Sequence, residues 1–260
     1  SSAWADPPIV QIPRVTSAPV LAEVVAGARP PGVEVTGFRQ REPGDGDAIS
    51  RPTTAYLSYD DERLYAVFVC KDDPGLVRAN LTRREAILQD DFVGLLLDPY
   101  HDGRRSYMFI VNPLGIQLDG VAVEGQDDDY TFDTLWHSEG RLTADGYVVL
   151  LAIPFKSLRF ANASTQTWGV AVARAITRLN ETSFWPYITR RMSSLGQQFA
   201  RLDGIEGVSP GRNLQAIPYG SFAGARELED SGLRVTDNAW RIGVDAKAVI
   251  RDAVTVDLTV

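Results

Sequence analysis

The sequence predicts an all-β fold in which two antiparallel sheets pack face to face as a sandwich. From residue 54 onward, short segments rich in Val, Tyr, Phe and Leu alternate with clusters of turn-forming residues. Several of these segments are apolar on both faces, as strands with two covered faces require. The composition fits a globular protein, because 44% of the 260 residues are hydrophobic and 23% are charged.

The chain divides into three parts. Residues 1–50 are rich in Pro and Gly and predict an irregular N-terminal segment with one helical stretch, Ala18 to Ala26. Residues 51–207 are expected to form the sandwich, with one short helix over Gly75 to Leu88. Residues 208–260 are expected to hold a linker and a hairpin. The strands predicted for the sandwich are Thr54–Tyr59, Leu64–Lys71, Phe92–Asp98, Ser106–Asn112, Gly146–Ile153 and Trp168–Arg178.

The last fifty residues have a different pattern. Apolar residues alternate with mostly polar ones from Trp240 to Ile250, and the alternation resumes after Arg251-Asp252. Strands of about ten residues joined by tight turns are typical of an outer-membrane β-barrel wall. The C-terminal hairpin is therefore expected to start such a barrel, which makes the chain a fragment of a longer protein. A soluble amphipathic hairpin is the alternative.

The N-terminus favours a location outside the cytoplasm. Ala3-Trp4-Ala5, followed by Asp6-Pro7-Pro8, resembles the end of a cleaved secretory signal peptide. We therefore expect the protein in the periplasm or the outer membrane. No apolar run reaches the roughly 18 residues that a membrane-spanning helix needs. Membrane attachment is expected only through the barrel.

Several kinds of chemistry find no support in the sequence. A net charge of −8 argues against nucleic acid as a partner, because phosphate binding needs a basic surface. The single cysteine, Cys70, is expected to be a buried apolar residue. His101 and His137 lie in polar turns without a nucleophile motif, so no catalytic residue is predicted. A carboxylate pair for glycoside hydrolysis cannot be identified among 34 acidic residues.

An acidic loop from Glu124 to Asp133 is a candidate calcium site. Calcium takes six to eight oxygen ligands, and alternating aspartates in a flexible loop can supply several. Asp127, Asp129 and Asp133 are the predicted ligands. A solvated acidic loop is the alternative.

Aromatic side chains beside polar groups suggest a second type of site. Sugar rings stack on Trp or Tyr, and their hydroxyls accept and donate hydrogen bonds. The predicted ligand-binding residues are Trp136, Trp185, Arg178, Asn180 and Glu181. Arg174 lies among core-like residues and must find a carboxylate or a ligand, since an unpaired buried charge is costly. The alternative is that the tryptophans fill the core and the arginines pair internally.

A series of short motifs runs from about residue 50 to 225. It comprises Tyr59-Asp60-Asp61-Glu62-Arg63-Leu64-Tyr65, Gln89-Asp90-Asp91-Phe92-Val93, Leu97-Asp98-Pro99, Tyr107-Met108-Phe109-Ile110-Val111-Asn112-Pro113, Phe132-Asp133-Thr134-Leu135-Trp136, Ile153-Pro154-Phe155-Lys156-Ser157-Leu158-Arg159-Phe160 and Arg178-Leu179-Asn180-Glu181 with Trp185. In this order the motifs resemble family 9 carbohydrate-binding modules. The resemblance is greatest to the version at the N-terminus of bacterial outer-membrane barrel proteins whose barrel is a domain of unknown function.

The resemblance implies a jelly-roll sandwich, calcium in several relatives and sugar held between aromatic rings. Asn180 and Trp185 match the family's binding segment, whereas the strand Tyr107–Asn112 lacks the family's sugar-contacting arginine. We therefore expect a non-catalytic module that binds an oligosaccharide or polysaccharide, with its own C-terminal barrel as a further partner. The alternatives are a structural cap or assembly domain of the barrel without sugar binding, and part of a glycoside hydrolase.

Overall fold

A computed structural model describes residues 7–84, 86–210, 214–229, 232–250 and 254–259. Two compact units divide between Pro210 and Gly211. Strands of the first unit are β1 (Ile9–Gln11), β2 (Val33–Val35), β3 (Arg39–Glu42), β4 (Thr53–Tyr59), β5 (Arg63–Lys71), β6 (Phe92–Asp98), β7 (Arg105–Val111), β8 (Gln117–Val123), β9 (His137–Thr143), β10 (Gly146–Pro154), β11 (Thr165–Ile176), β12 (Glu181–Trp185) and β13 (Ala200–Glu206). Its helical elements are α1 (Leu21–Val25) and the 3-10 turns Phe155–Ser157, Thr177–Leu179 and Gly196–Gln198.

These strands form the predicted all-β sandwich. In the described residues, an eight-stranded sheet, the large sheet, has the order β1-β13-β11-β6-β7-β8, with β12 and β3 attached beside β11. A five-stranded sheet, the small sheet, has the order β2-β4-β5-β10-β9. Neighbouring strands are antiparallel except β1 and β13, which are parallel.

The main core lies between the two sheets. Phe68 and Tyr147 of the small sheet and Phe109 and Trp168 of the large sheet belong to one buried cluster. Because side chains alternate along a strand, the residues between these core positions lie on the outer faces of the sheets.

Helix α1 covers the outer face of the small sheet. Its Leu21 and Val24 pack in one buried cluster with Tyr65, Val67 and Leu150, which alternate with the residues of the main core. The helix predicted within residues 18–26 is therefore confirmed. The remainder of this N-terminal segment is less irregular than predicted, because it adds β1, β2 and β3 to the edges of the sheets.

The helix predicted over Gly75 to Leu88 is wrong. Residues 75–84 and 86–88 form turns and irregular segments. The amide of Arg78 donates to Asp91 Oδ2 at 3.1 Å, and the amide of Asn80 donates to Asp90 Oδ2 at 3.0 Å. Buried carboxylates that follow in the chain thus take the donors that a helix would use internally.

The second unit is a three-stranded antiparallel sheet of β14 (Leu214–Glu229), β15 (Gly232–Ile250) and β16 (Val254–Thr259). The alternating segment from Trp240 to Ile250 lies within β15. None of the sheets in the described ranges closes into a barrel. The signal-like residues 3–5 and the turn Arg251-Asp252 lie outside the described residues. Where the structure describes the chain, none of its helices has the length and apolar character to span a bilayer.

Candidate functional site

Two of the predicted sugar contacts, Arg178 and Glu181, have partners inside the protein. Arg178 Nη2 lies 2.5 Å from Asp72 Oδ1, and the Asp72 side chain is fully buried. Glu181 is also buried, and its carboxylate accepts hydrogen bonds from the Ser50 amide at 3.1 Å and from Gln40 Nε2 at 3.3 Å. The fold therefore uses both side chains to hold loops against the β11–β12 hairpin.

The predicted aromatic contacts lie against the core. Trp136 and Trp185 are half-buried, and both pack on the main core. The Trp136 ring meets Phe109 edge to face, with centroids 5.2 Å apart. Trp185 ends β12, whereas the exposed Asn180 lies in the turn before that strand, with a left-handed φ of 48°. The structure thus brings Arg178, Asn180 and Glu181 to one turn and places both tryptophans elsewhere.

Two of the three predicted calcium ligands have separate partners within the protein. Asp129 Oδ1 accepts hydrogen bonds from the Thr131 amide at 2.9 Å and from its hydroxyl at 2.6 Å, which lower the pKa of Asp129. Asp133 forms an ion pair with Arg84 at 2.9 Å, and Asp127 is exposed. In the described parts of the chain, no group of three or more acidic, histidine or cysteine side chains is placed to hold a metal ion. Calcium binding here stays a prediction that requires the loop to rearrange.

A groove on the outer face of the large sheet is the candidate site, and we call it the outer groove. Its volume is about 320 Å³, within the usual range for ligand pockets. Strands β6, β7, β8, β11 and β12 supply its floor. The floor residues are Gly94, Leu96, Met108, Ala122, Ala173 and Phe184.

The depth of the outer groove follows from small side chains at neighbouring positions. Gly94 and Ala173 are direct partners in the β6–β11 register. A Cβ built on Gly94 would meet the Ala173 Cβ at 3.6 Å, which is ordinary contact. Both residues line the groove, and neither has a long side chain that would fill it. Larger residues around the pair, including Leu96 and Phe184, form a buried apolar cluster.

Two loops make the walls of the outer groove. The loop after β8 folds back so that Val121 and Asp129 exchange two backbone hydrogen bonds of 2.9 Å. The second wall, residues 193–196, precedes β13. Polar and charged side chains line the rim above the apolar floor. They include Arg104, Arg105, Glu124, Gln126, Asp128 and Ser193.

Tyr130 joins the apolar floor to the polar rim. Its ring packs on the apolar cluster of the floor, and its hydroxyl donates to Asp128 Oδ2 at 3.2 Å. Burial, followed by the charge of Asp128 and this hydrogen bond, raises the pKa of Tyr130 to about 12. The hydroxyl is therefore neutral at physiological pH and can both donate and accept hydrogen bonds.

The outer groove was not predicted from the sequence. The available signal was the recurrence of Gly and Ala on one face of three strands, at Gly94, at Gly120 and Ala122, and at Ala171 and Ala173. Those positions become a common surface only through the strand order β8-β7-β6-β11, which the sequence does not give.

Comparison with known proteins shows a shared fold. No family model matches the chain, and no curated protein matches it. A Bacteroides uniformis protein named for an inferred carbohydrate-binding role is similar in structure, with a TM-score of 0.55 and 12% identity over 76% of this chain and 99% of that one. A family 9 carbohydrate-binding module from Caldicellulosiruptor kristjanssonii, solved with cellotriose, has a TM-score of 0.47 and 14% identity over 75% of this chain and 92% of that one. A family 9 module from the same organism, solved with glucose, has a TM-score of 0.43 and 13% identity over 78% of this chain and 98% of that one. This chain therefore shares its fold with the Bacteroides uniformis protein.

Proposed function

We propose that this protein is a non-catalytic glycan-binding module whose ligand occupies the outer groove. The observation that carries the proposal is the groove's apolar floor beneath a polar rim. A sugar ring has the same division, with C–H groups on its faces and hydroxyls around its edge. The carbohydrate-binding role inferred for the structurally similar Bacteroides uniformis protein supports the same assignment.

In the proposed complex, one face of a sugar ring lies on the floor near Phe184 and Tyr130. The rim side chains Gln126 and Ser193 exchange hydrogen bonds with the hydroxyls. Stacking and hydrogen bonds at one open face typically give dissociation constants between about 1 μM and 1 mM.

Calorimetry of the intact chain against the hits of a glycan array tests the proposal. We expect Tyr130→Ala to lower affinity at least about tenfold through loss of the stacking ring, and Tyr130→Phe to retain most of it. Leu142→Ala is the matched control, because Leu142 is an exposed apolar residue on β9 and does not line the groove. An array without hits, or equal binding by the Tyr130→Ala and Leu142→Ala variants, contradicts the proposal.

Glu124 and Asp128 on the rim make a glycoside hydrolase the second candidate. Hydrolysis needs a carboxyl group that stays protonated near neutral pH, which enzymes usually achieve by burial. Both side chains are exposed, which favours binding over hydrolysis. Turnover of a chromogenic glycoside, lost in Glu124→Gln or Asp128→Asn, would establish the enzyme instead.

A structural cap without sugar binding is the third candidate. The packing of Trp136 and Trp185 on the core favours it over the sugar site predicted from the sequence. The outer groove favours glycan binding over a cap, because a cap has no use for an open apolar groove on a sheet face.

We also propose that residues 208–260 begin a barrel in the outer membrane, with the sandwich in the periplasm or at the cell surface. In support, Phe222 and Trp240 face each other across β14 and β15 with ring centroids 4.7 Å apart, and they are 56% and 75% exposed. Flotation with lipid vesicles tests this placement. Phe222→Glu should weaken vesicle binding, and Ser221→Glu on the opposite face should not. Equal flotation of both variants contradicts it.

Calcium is proposed only as a stabiliser of the acidic loop through Asp127, Asp129 and Asp133. Thermal unfolding with calcium and with a chelator tests it. A midpoint raised by calcium in the native chain, but not in Asp129→Asn, is the expected result. Identical midpoints reject calcium binding.

A further inference from the structure

A second cavity lies beside the outer groove and has a different lining. Its volume is about 420 Å³, and its polar side chains include His101, Gln197 and Arg201. Strand β13 supplies Arg201, which is held by an ion pair with Asp203 at 3.0 Å. The cavity therefore presents hydrogen-bond donors and acceptors where the outer groove presents an apolar floor.

The fold fixes His101 in this cavity. Its backbone has a left-handed φ of 49°, which is uncommon for a residue with a side chain. The turn is held by the buried Asp98, whose carboxylate accepts the amides of Gly103 at 2.8 Å and Tyr100 at 3.1 Å. A Cβ built on Gly169 of β11 would lie 3.3 Å from His101 Nδ1, so the imidazole rests over a strand position that has no side chain.

Gly103 and Gly196 line both cavities. The two backbones touch, because a Cβ built on Gly196 would lie 2.8 Å from the Gly103 carbonyl oxygen. The Gln197 side chain also lies against Gly103, because a Cβ built on Gly103 would meet Gln197 Cγ at 2.8 Å. The two cavities are therefore direct neighbours across this contact.

We propose that the second cavity is a subsite for the same ligand as the outer groove. This inference rests on the proposed glycan-binding function and narrows the ligand to an oligosaccharide. One sugar residue lies on the apolar floor, the chain crosses Gly103 and Gly196, and the hydroxyls of a following residue bond to His101, Gln197 and Arg201. A monosaccharide fills only one of the two cavities and loses the contacts of the other.

Calorimetry of the intact chain with gluco- and manno-oligosaccharides of one to four residues tests the subsite. We expect affinity for the series that binds to rise at least about tenfold between the monosaccharide and the trisaccharide. The double variant His101→Gly/Gln197→Ala should bind the trisaccharide only as tightly as the monosaccharide, and should keep the native affinity for the monosaccharide. Glycine is chosen at His101 because it adopts a positive φ without strain, so the fold survives loss of the ring.

The possible failures are distinguishable. Affinity that does not change with length, or an equal response of the double variant to short and long ligands, overturns the second subsite and leaves the outer groove assigned. Native affinity of Tyr130→Ala for every length overturns the outer groove itself. If neither series binds, the glycan-binding function and the subsite fail together. Circular dichroism melts of each variant confirm that the protein compared is folded.

Discussion

Arg174 and Asp72 form an ion pair inside the sandwich, with Arg174 Nη2 3.1 Å from Asp72 Oδ2 and both side chains at most 1% exposed. The arginine at this core position was predicted to need a carboxylate or a ligand, and it has the carboxylate. Arg178 and Arg51 bind the same aspartate at 2.5 and 3.3 Å. A single buried carboxylate in the loop after β5 therefore binds β11, the turn that follows β11 and the segment that precedes β4.

We expect Asp72→Asn to destabilise the fold by about 3 kcal/mol or more, because removing one member of a buried pair leaves the other charge uncompensated. Urea unfolding at neutral pH measures the change. Asp145→Asn is the matched control, since its ion pair with Lys71 is exposed and should contribute far less. Equal losses of unfolding free energy in the two variants would show that the buried pair contributes no more than the exposed one.

The same aspartate predicts a pH dependence. Burial alone would raise the pKa of Asp72, but the hydrogen bond from Arg178 and the charges of Arg178 and Arg174 outweigh it and lower the pKa below the usual 3.8. A lowered folded-state pKa stabilises the fold fully above pH 3.8, and this contribution disappears as the pH falls through the folded value. The difference in unfolding free energy between the native chain and Asp72→Asn should therefore shrink on acidification. A constant difference down to pH 2 contradicts this assignment.

Cys70 should be inert in the folded protein. It is the chain's single cysteine and is 1% exposed, and burial raises the pKa of its thiol. An aromatic disulfide reagent at pH 8 should label almost none of the native protein and one thiol per chain in urea, because the thiolate is the reactive form. Cys70→Ser provides the blank. Rapid labelling without denaturant would show that β5 opens or that the thiol is accessible.

Gly94 and Gly120 both lie on the outer face of the large sheet and should respond differently to alanine. At Gly94 the added methyl group has ordinary contacts, so we expect stability to rise by about 0.5–1 kcal/mol, and affinity to fall as the floor of the outer groove rises. At Gly120 the methyl group would lie 3.0 Å from the Asp129 carbonyl oxygen and from the Tyr130 ring, so we expect destabilisation. Thermal melts and glycan titrations compare the two. Loss of stability in Gly94→Ala would contradict the ordinary contacts expected for the added methyl group.

Acrylamide quenching should separate the tryptophans by exposure. Trp240 is 75% exposed, Trp168 is fully buried, and Trp136 and Trp185 are half-buried against the core. The difference in emission between the native protein and a Trp→Phe variant reports the replaced tryptophan. Acrylamide should strongly quench the contribution of Trp240, and only weakly quench the contributions of Trp136 and Trp185. Strong quenching at either half-buried position would show an open ring, as the sugar site predicted from the sequence requires.

The strands were predictable because their signal is local. Alternation and β-branched or aromatic content identify β4, β5, β6, β7, β10 and β11, and turn residues bound them. The polar strand β9 and the short strand β12 carry little of this signal, and partners far away in the chain define them. The helix over residues 75–88 was wrongly predicted for the same reason, namely contacts outside the segment. Backbone amides of this segment donate to Asp90 and Asp91.

The sequence alone determined that the protein is an all-β sandwich and that Arg174 needs a partner, because periodicity and the cost of a buried charge act at single positions. Only the tertiary structure decided that Asp72 is that partner, that Arg178 and Glu181 bind within the protein, and that Gly94 and Ala173 together open a groove. Each of these depends on which strands are neighbours and in what register. Residues far apart in the chain form one ion pair or line one groove only after the sheets have formed.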